Sequence, residues 1–120
     1  MTEPEESNFN NIIKELIKKS LFTERQIEII LKQKDLLDVK FPITRGAYYR
    51  QVGQSREKLV SFFYTVALLR GLGVLLPDDI DVMSELSEQI GVISHSDVFP
   101  EREQDVISVI DRVIRQACSL

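Results

Sequence analysis

Around residues 43–58 the chain gathers side chains suited to polyanions and to flat hydrogen-bonding edges: Arg45, Tyr49, Arg50, Gln54, Arg56 and Lys58, with Lys40 just upstream. At 100° per residue, Tyr48, Val52, Ser55 and Leu59 share one side of a helix, and Arg50 and Gln54 point nearly opposite. Arg45, Tyr49 and Arg56 border the apolar stripe. Arginine can pair bidentately with guanine and glutamine with adenine, while basic side chains and first-turn amides hold phosphates. Thr44 stands where such a helix needs an N-cap. Gly46 leaves its first turn free of a side chain where a phosphate could approach. Residues 39–58 carry five basic side chains against Glu57 alone, a balance of +4.

Other chemistry is sparsely represented. Gly71-Leu72-Gly73 is followed by Leu76 where a dinucleotide fingerprint needs glycine, and no Gly-Lys-Ser/Thr phosphate loop is present. Single His95, between two serines, reads as a surface-loop residue, and single Cys118 as a small packed hydrophobe on an apolar helical stripe. Asp78, Asp79 and Asp81 lack the glycine and glutamate of a calcium loop and fit a helix start, where the dipole favours them. No acid–base–nucleophile set emerges. The expectation is a chain that is not an enzyme, with no catalytic residue, no metal site and no cofactor.

The elements that must position the basic segment follow from periodicity and caps. Phe9, Ile12, Ile13, Leu16 and Ile17 mark a first amphipathic helix over residues 8–19. Thr23-Glu24-Arg25-Gln26 is a capping box, with Phe22 and Ile27 placed as a hydrophobic staple, opening a second helix to about Asp35. Residues 34–42 are either a short helix or an extended loop, and Pro42 disfavours helix at Phe41. The longest helix starts after Thr44, buries Tyr48, Val52, Ser55, Leu59, Phe62, Phe63, Val66, Ala67 and Leu69, and ends at Gly71 or Gly73. Residues 59–76 are apolar enough to raise the question of a membrane span, but Arg70 and two glycines favour a buried core helix. A fourth helix over residues 78–90 carries Met83, Leu86 and Ile90 on one face. Residues 91–99 read as a loop or short strand, and Pro100 opens the last helix, striped by Val106, Ile110, Val113 and Ala117.

The 120 residues, 43% hydrophobic and 28% charged, suit one soluble domain. One cysteine excludes an internal disulfide. The acidic start, with no apolar stretch behind it, is not a signal peptide and reads as a flexible leader over residues 1–7; the cytoplasm is the expected compartment. A net charge of −4 argues against nucleic acid, but its distribution does not: residues 1–75 balance to +3 and residues 76–120 to −7. Without the leader, residues 7–75 carry +6.

Phe22-Thr23-Glu24-Arg25-Gln26-Ile27-Glu28-Ile29-Ile30-Leu31, followed by Ile43-Thr44-Arg45-Gly46-Ala47-Tyr48-Tyr49-Arg50, resembles a helix-turn-helix of the sigma-factor region-four type and of small archaeal transcriptional regulators. The likeness covers residues 22–59. Residues 34–42 lack the glycine turn usual in those families. The resemblance implies that Thr44, Arg45, Tyr49 and Arg50 face DNA.

The reading is an all-α chain of about five helices: a basic helix-turn-helix-like part over residues 8–75 and an acidic helical part over residues 76–120, within one domain over residues 8–120. Its expected function is sequence-specific binding of double-stranded DNA as a transcriptional regulator. Arg45, Tyr49, Arg50 and Gln54 would sit on base edges, and Lys40, Arg56 and Lys58 on phosphates. The alternative is a helical protein–protein interaction module with no DNA role. The apolar stripes of the acidic part would either pack on residues 59–72 of the same chain or form a homodimer seam.

Overall fold

Four of the five helices begin with a side chain bonded to a backbone amide of the opening turn, and the fifth begins on a proline. The computed structural model describes residues 9–120, so the expected acidic leader lies outside the described residues. They form five α-helices, and no strand occurs among them. The fold is all-α.

α1 (Asn11–Lys19) starts with the Ile13 amide donating to Asn10 Oδ1 at 2.9 Å. α2 (Glu24–Gln33) opens on the expected capping box: the Gln26 amide donates to Thr23 Oγ1 at 3.1 Å and the Thr23 amide to Gln26 Oε1 at 2.9 Å. It stops two residues before Asp35, which adopts the left-handed region at φ 57°. There the Leu36 and Asp35 amides bond back to the Leu31 and Lys32 carbonyls, a Schellman closure. The connection from Lys34 to Thr44 is irregular, so the extended-loop alternative holds.

α3 (Arg45–Gly71) is capped by Thr44, whose Oγ1 accepts from the Ala47 amide at 3.1 Å. Of the two glycines expected to end it, Gly73 takes the left-handed turn, at φ 81°, while the Val74 amide returns to the Leu69 carbonyl. The two Schellman turns make the same demand of their central residue, a left-handed backbone, met by aspartate in one and by glycine in the other. Gly73→Ala is expected to destabilise the protein by about 1 kcal/mol, and Asp35→Gly to stabilise it by about 0.5–1 kcal/mol, both read from urea-unfolding midpoints.

α4 (Pro77–Ser94) begins with the Leu76 amide donating to Asp79 Oδ2 at 2.8 Å, so Asp79 is a helix-cap residue as expected. It runs beyond the expected end, through Gly91, where a loop or short strand was anticipated. α5 (Pro100–Ala117) opens on Pro100 as read from the sequence.

The described residues resolve into two compact units, one of Ile17–Thr65, the other of Phe9–Leu16 and Val66–Leu120. Among the described residues the first unit carries ten basic and five acidic side chains, +5, and the second five and eleven, −6. Ile17, Ile29, Val52 and Ser55 are buried in the first; Ile12, Ile13, Ile107 and Ile110 in the second.

Two burial expectations are overturned. Residues 59–72 are not a buried core helix: Phe63 is 64% exposed, Tyr64 75%, Leu68 59% and Leu72 70%. The apolar face of that stretch is left uncovered, and α4 buries none of its own residues. Cys118 is exposed rather than packed, because it caps the end of α5 instead of continuing its stripe. His95, the C-cap of α4, is exposed as expected. No helix among the described residues is long and apolar enough to cross a membrane.

Candidate nucleic-acid interface

All eight sequence-selected residues lie in the basic unit, on or just before the N-terminal half of α3. That half is held from beneath by α2. Ile29 is 1% exposed, and with Ile30, Val52, Ser55 and Leu59 it surrounds a small cavity of about 210 Å³. Ser55 Oγ is buried without a hydrogen-bond partner; its value is its small size on the packed side of the helix. Two polar ties fix the register: Gln33 Nε2 donates to Tyr48 Oη at 2.8 Å, and Lys58 Nζ donates to Gln26 Oε1 at 2.9 Å.

On the outer side, Lys40, Thr44, Arg45, Tyr49, Arg50, Gln54 and Arg56 are exposed. Tyr49, Arg50, Gln54, Arg56 and Lys58 share one shallow groove of about 770 Å³, with Glu57 as its sole carboxylate. Gly53 lies within it, and a Cβ there would meet nothing within 4 Å. The glycine is therefore not demanded by packing, and it leaves bare backbone inside the groove. A second depression of about 260 Å³, at the start of α3, brings together Lys32, Lys40, Phe41 and Arg45. The Arg45 guanidinium sits 5.7 Å from the Tyr49 ring, linking the two depressions.

Lys58 differs from the others. It is half-buried, its ammonium is committed to the capping box of α2, and it stands 5.8 Å from the Phe22 ring. Its first role is to bind α3 to the start of α2. Thr44 Oγ1 is likewise occupied by the Ala47 amide, so its contribution is to orient the first turn.

Sequence reasoning missed the residues that shape the connection before α3. Phe41 stacks on Tyr48 with centroids 5.9 Å apart, and the Arg25 guanidinium lies 4.7 Å from its ring. Lys32 donates to the Val39 carbonyl and faces the Phe41 and Tyr48 rings at 5.3 and 5.4 Å. These contacts give an eleven-residue linker a fixed course and add Lys32 to the basic cluster. The available signal was an aromatic residue between Lys40 and Pro42, without any local pattern naming its partners.

No group of His, Cys, Asp and Glu able to hold a metal occurs among the described residues. Comparison with protein-family models, curated proteins and solved structures returned no match to this chain.

Proposed function

We propose that this chain binds double-stranded DNA through the N-terminal half of α3 and acts as a sequence-specific transcriptional regulator, in keeping with a cytoplasmic setting. The observation that carries this reading is the grouping of Arg45, Tyr49, Arg50, Gln54 and Arg56 on an exposed face of a +5 unit, beside a helix N-terminus. Residues 45–56 span about 16 Å of helix, compatible with a major groove about 12 Å wide. Arg45, Arg50 and Gln54 supply donors for base edges, and Tyr49 an aromatic surface between them. Lys40, Lys32 and Arg56 hold phosphates. Lys58 acts mainly as a positioning residue. A homodimer would place two such helices on two half-sites.

Titration of a duplex of about 25 base pairs at two salt concentrations tests the reading. Affinity is expected to fall roughly 40-fold between about 50 and 200 mM salt, as three phosphate contacts require. Arg45→Ala and Arg50→Ala are each expected to weaken binding about 10-fold or more. No binding at low salt, or binding indifferent to both substitutions, overturns it. The second reading, a helical protein-interaction module without a DNA role, draws on the exposure of Phe63, Tyr64 and Leu68, and that negative result would favour it.

A further inference from the structure

A 27-residue helix with a polar, basic first half has a second half that faces solvent with aromatic and aliphatic side chains. From Leu59 to Leu72 the only charged residue is Arg70. Val60, Phe62, Phe63, Tyr64, Leu68 and Leu72 are 40–75% exposed. With about 150–250 Å² available to each aromatic side chain, this stretch leaves on the order of 700 Å² of side-chain surface in water. At 100° per residue Phe63, Val60, Tyr64, Leu68 and Leu72 fall within one half of the helix surface and Phe62 lies on the other; a stable interface takes about 800 Å² from each partner.

The acidic unit holds a feature of matching character. Between α4 and α5 runs an open groove of about 840 Å³. Val82, Leu86, Val106 and Val109 line it, with Glu85, Glu88 and Asp105 against Arg102, so its charged residues leave a balance of −2. α4 and α5, at 18 residues each, extend about 27 Å, enough to receive the roughly 20 Å of helix between residues 59 and 72. The part of α3 that belongs to the acidic unit, Val66–Gly71, contributes no residue to the groove. One chain thus carries both an unclothed apolar helix bearing a single arginine and an open apolar groove with carboxylates at hand.

We infer that the occupant is a second copy of this chain: in a two-fold dimer, each copy's α3 stretch lies in the other's α4–α5 groove. Apolar side chains fill the groove, and Arg70 approaches the Glu85 and Asp105 carboxylates. Reciprocity doubles the buried surface, as a symmetric interface does. The interface leaves Arg45 to Arg56 outside it and does not depend on DNA.

Light scattering coupled to size exclusion, without DNA at micromolar concentration, tests this. The wild type is expected at twice 13.8 kDa. A Phe63→Glu/Leu68→Glu variant and a separate Val109→Glu variant are each expected at 13.8 kDa. All three side chains are more than half exposed, so helical circular dichroism should be retained. Mixing the two variants should restore a dimer-sized species, because one α3 stretch and one groove remain intact in that pair. A monomeric wild type, a dimer that survives Phe63→Glu/Leu68→Glu, or a mixture that stays monomeric overturns the assignment. A dimeric wild type that fails to bind duplex leaves this interface standing and removes only the DNA reading.

Discussion

Ile29→Ala is expected to cost about 3–4 kcal/mol of unfolding free energy, measured as a drop in the urea midpoint at constant slope. Ile29 is 1% exposed and adjoins the cavity bounded by Val52, Ser55 and Leu59. Removing its branched side chain deepens an open depression already present between α2 and α3, while the Gln33–Tyr48 and Gln26–Lys58 ties hold the two helices at their spacing. Ile29→Val, which removes one methylene, is expected to cost only about 1 kcal/mol. Equal losses from the two variants would show that the site collapses freely and that this packing does not hold α3 in place. The basic unit is small, with few buried apolar side chains, so on the proposed DNA reading the alanine variant should also lower duplex affinity through its folded fraction.

The second large effect belongs to Asn10. Its Oδ1 caps α1 by accepting from the Ile13 amide, while its Nδ2 donates to the Ile93 carbonyl at 2.8 Å, near the end of α4. Asn10→Ala removes both. The lost cap costs about 1 kcal/mol and the orphaned carbonyl about another 1 kcal/mol, so a loss of about 2 kcal/mol is expected in urea unfolding. Asn10→Ser keeps a capping oxygen but cannot donate as the amide does, and should fall midway. A serine variant as damaged as the alanine variant would assign the whole effect to the contact with α4. Hydrogen exchange at the amides of the last turn of α4 gives a second readout, expected to accelerate in both variants.

The same residue explains one gap between sequence and structure. Thr23-x-x-Gln26 and Thr44 are local signals, with donor and acceptor within a turn of each other, and Pro100 carries its own through its fixed φ, so the starts of three helices were legible. The end of α4 was not. Gly91 costs a helix about 1 kcal/mol, which favours stopping there. The compensation comes from Asn10, more than 80 residues away in the chain, and no local pattern carries it. The linker before α3 has the same character, because Phe41 and Lys32 are meaningful only once Tyr48 and Arg25 lie beside them. The candidate site was legible in its residue types, since period and composition fix which side chains share a helix face. One role within it was not: a lysine seven half-turns along α3 looks the same in sequence whether it meets solvent or, as Lys58 does, the cap of α2. Hydrophobic periodicity also misled over residues 59–72. It records that a face wants cover, and is silent on whether the cover comes from the same chain.

The segregation of charge, +5 in one unit and −6 in the other, bears on kinetics as well as contact. A chain of uniformly spread charge at −4 would be repelled by a polyanion from every side. Here the two units carry opposite charge. On the proposed DNA reading, a duplex within about 10 Å at 0.1 M salt attracts the basic unit and repels the acidic one. Productive encounters would then be those the basic unit makes, and raising the salt should slow association more than a net charge of −4 alone would suggest.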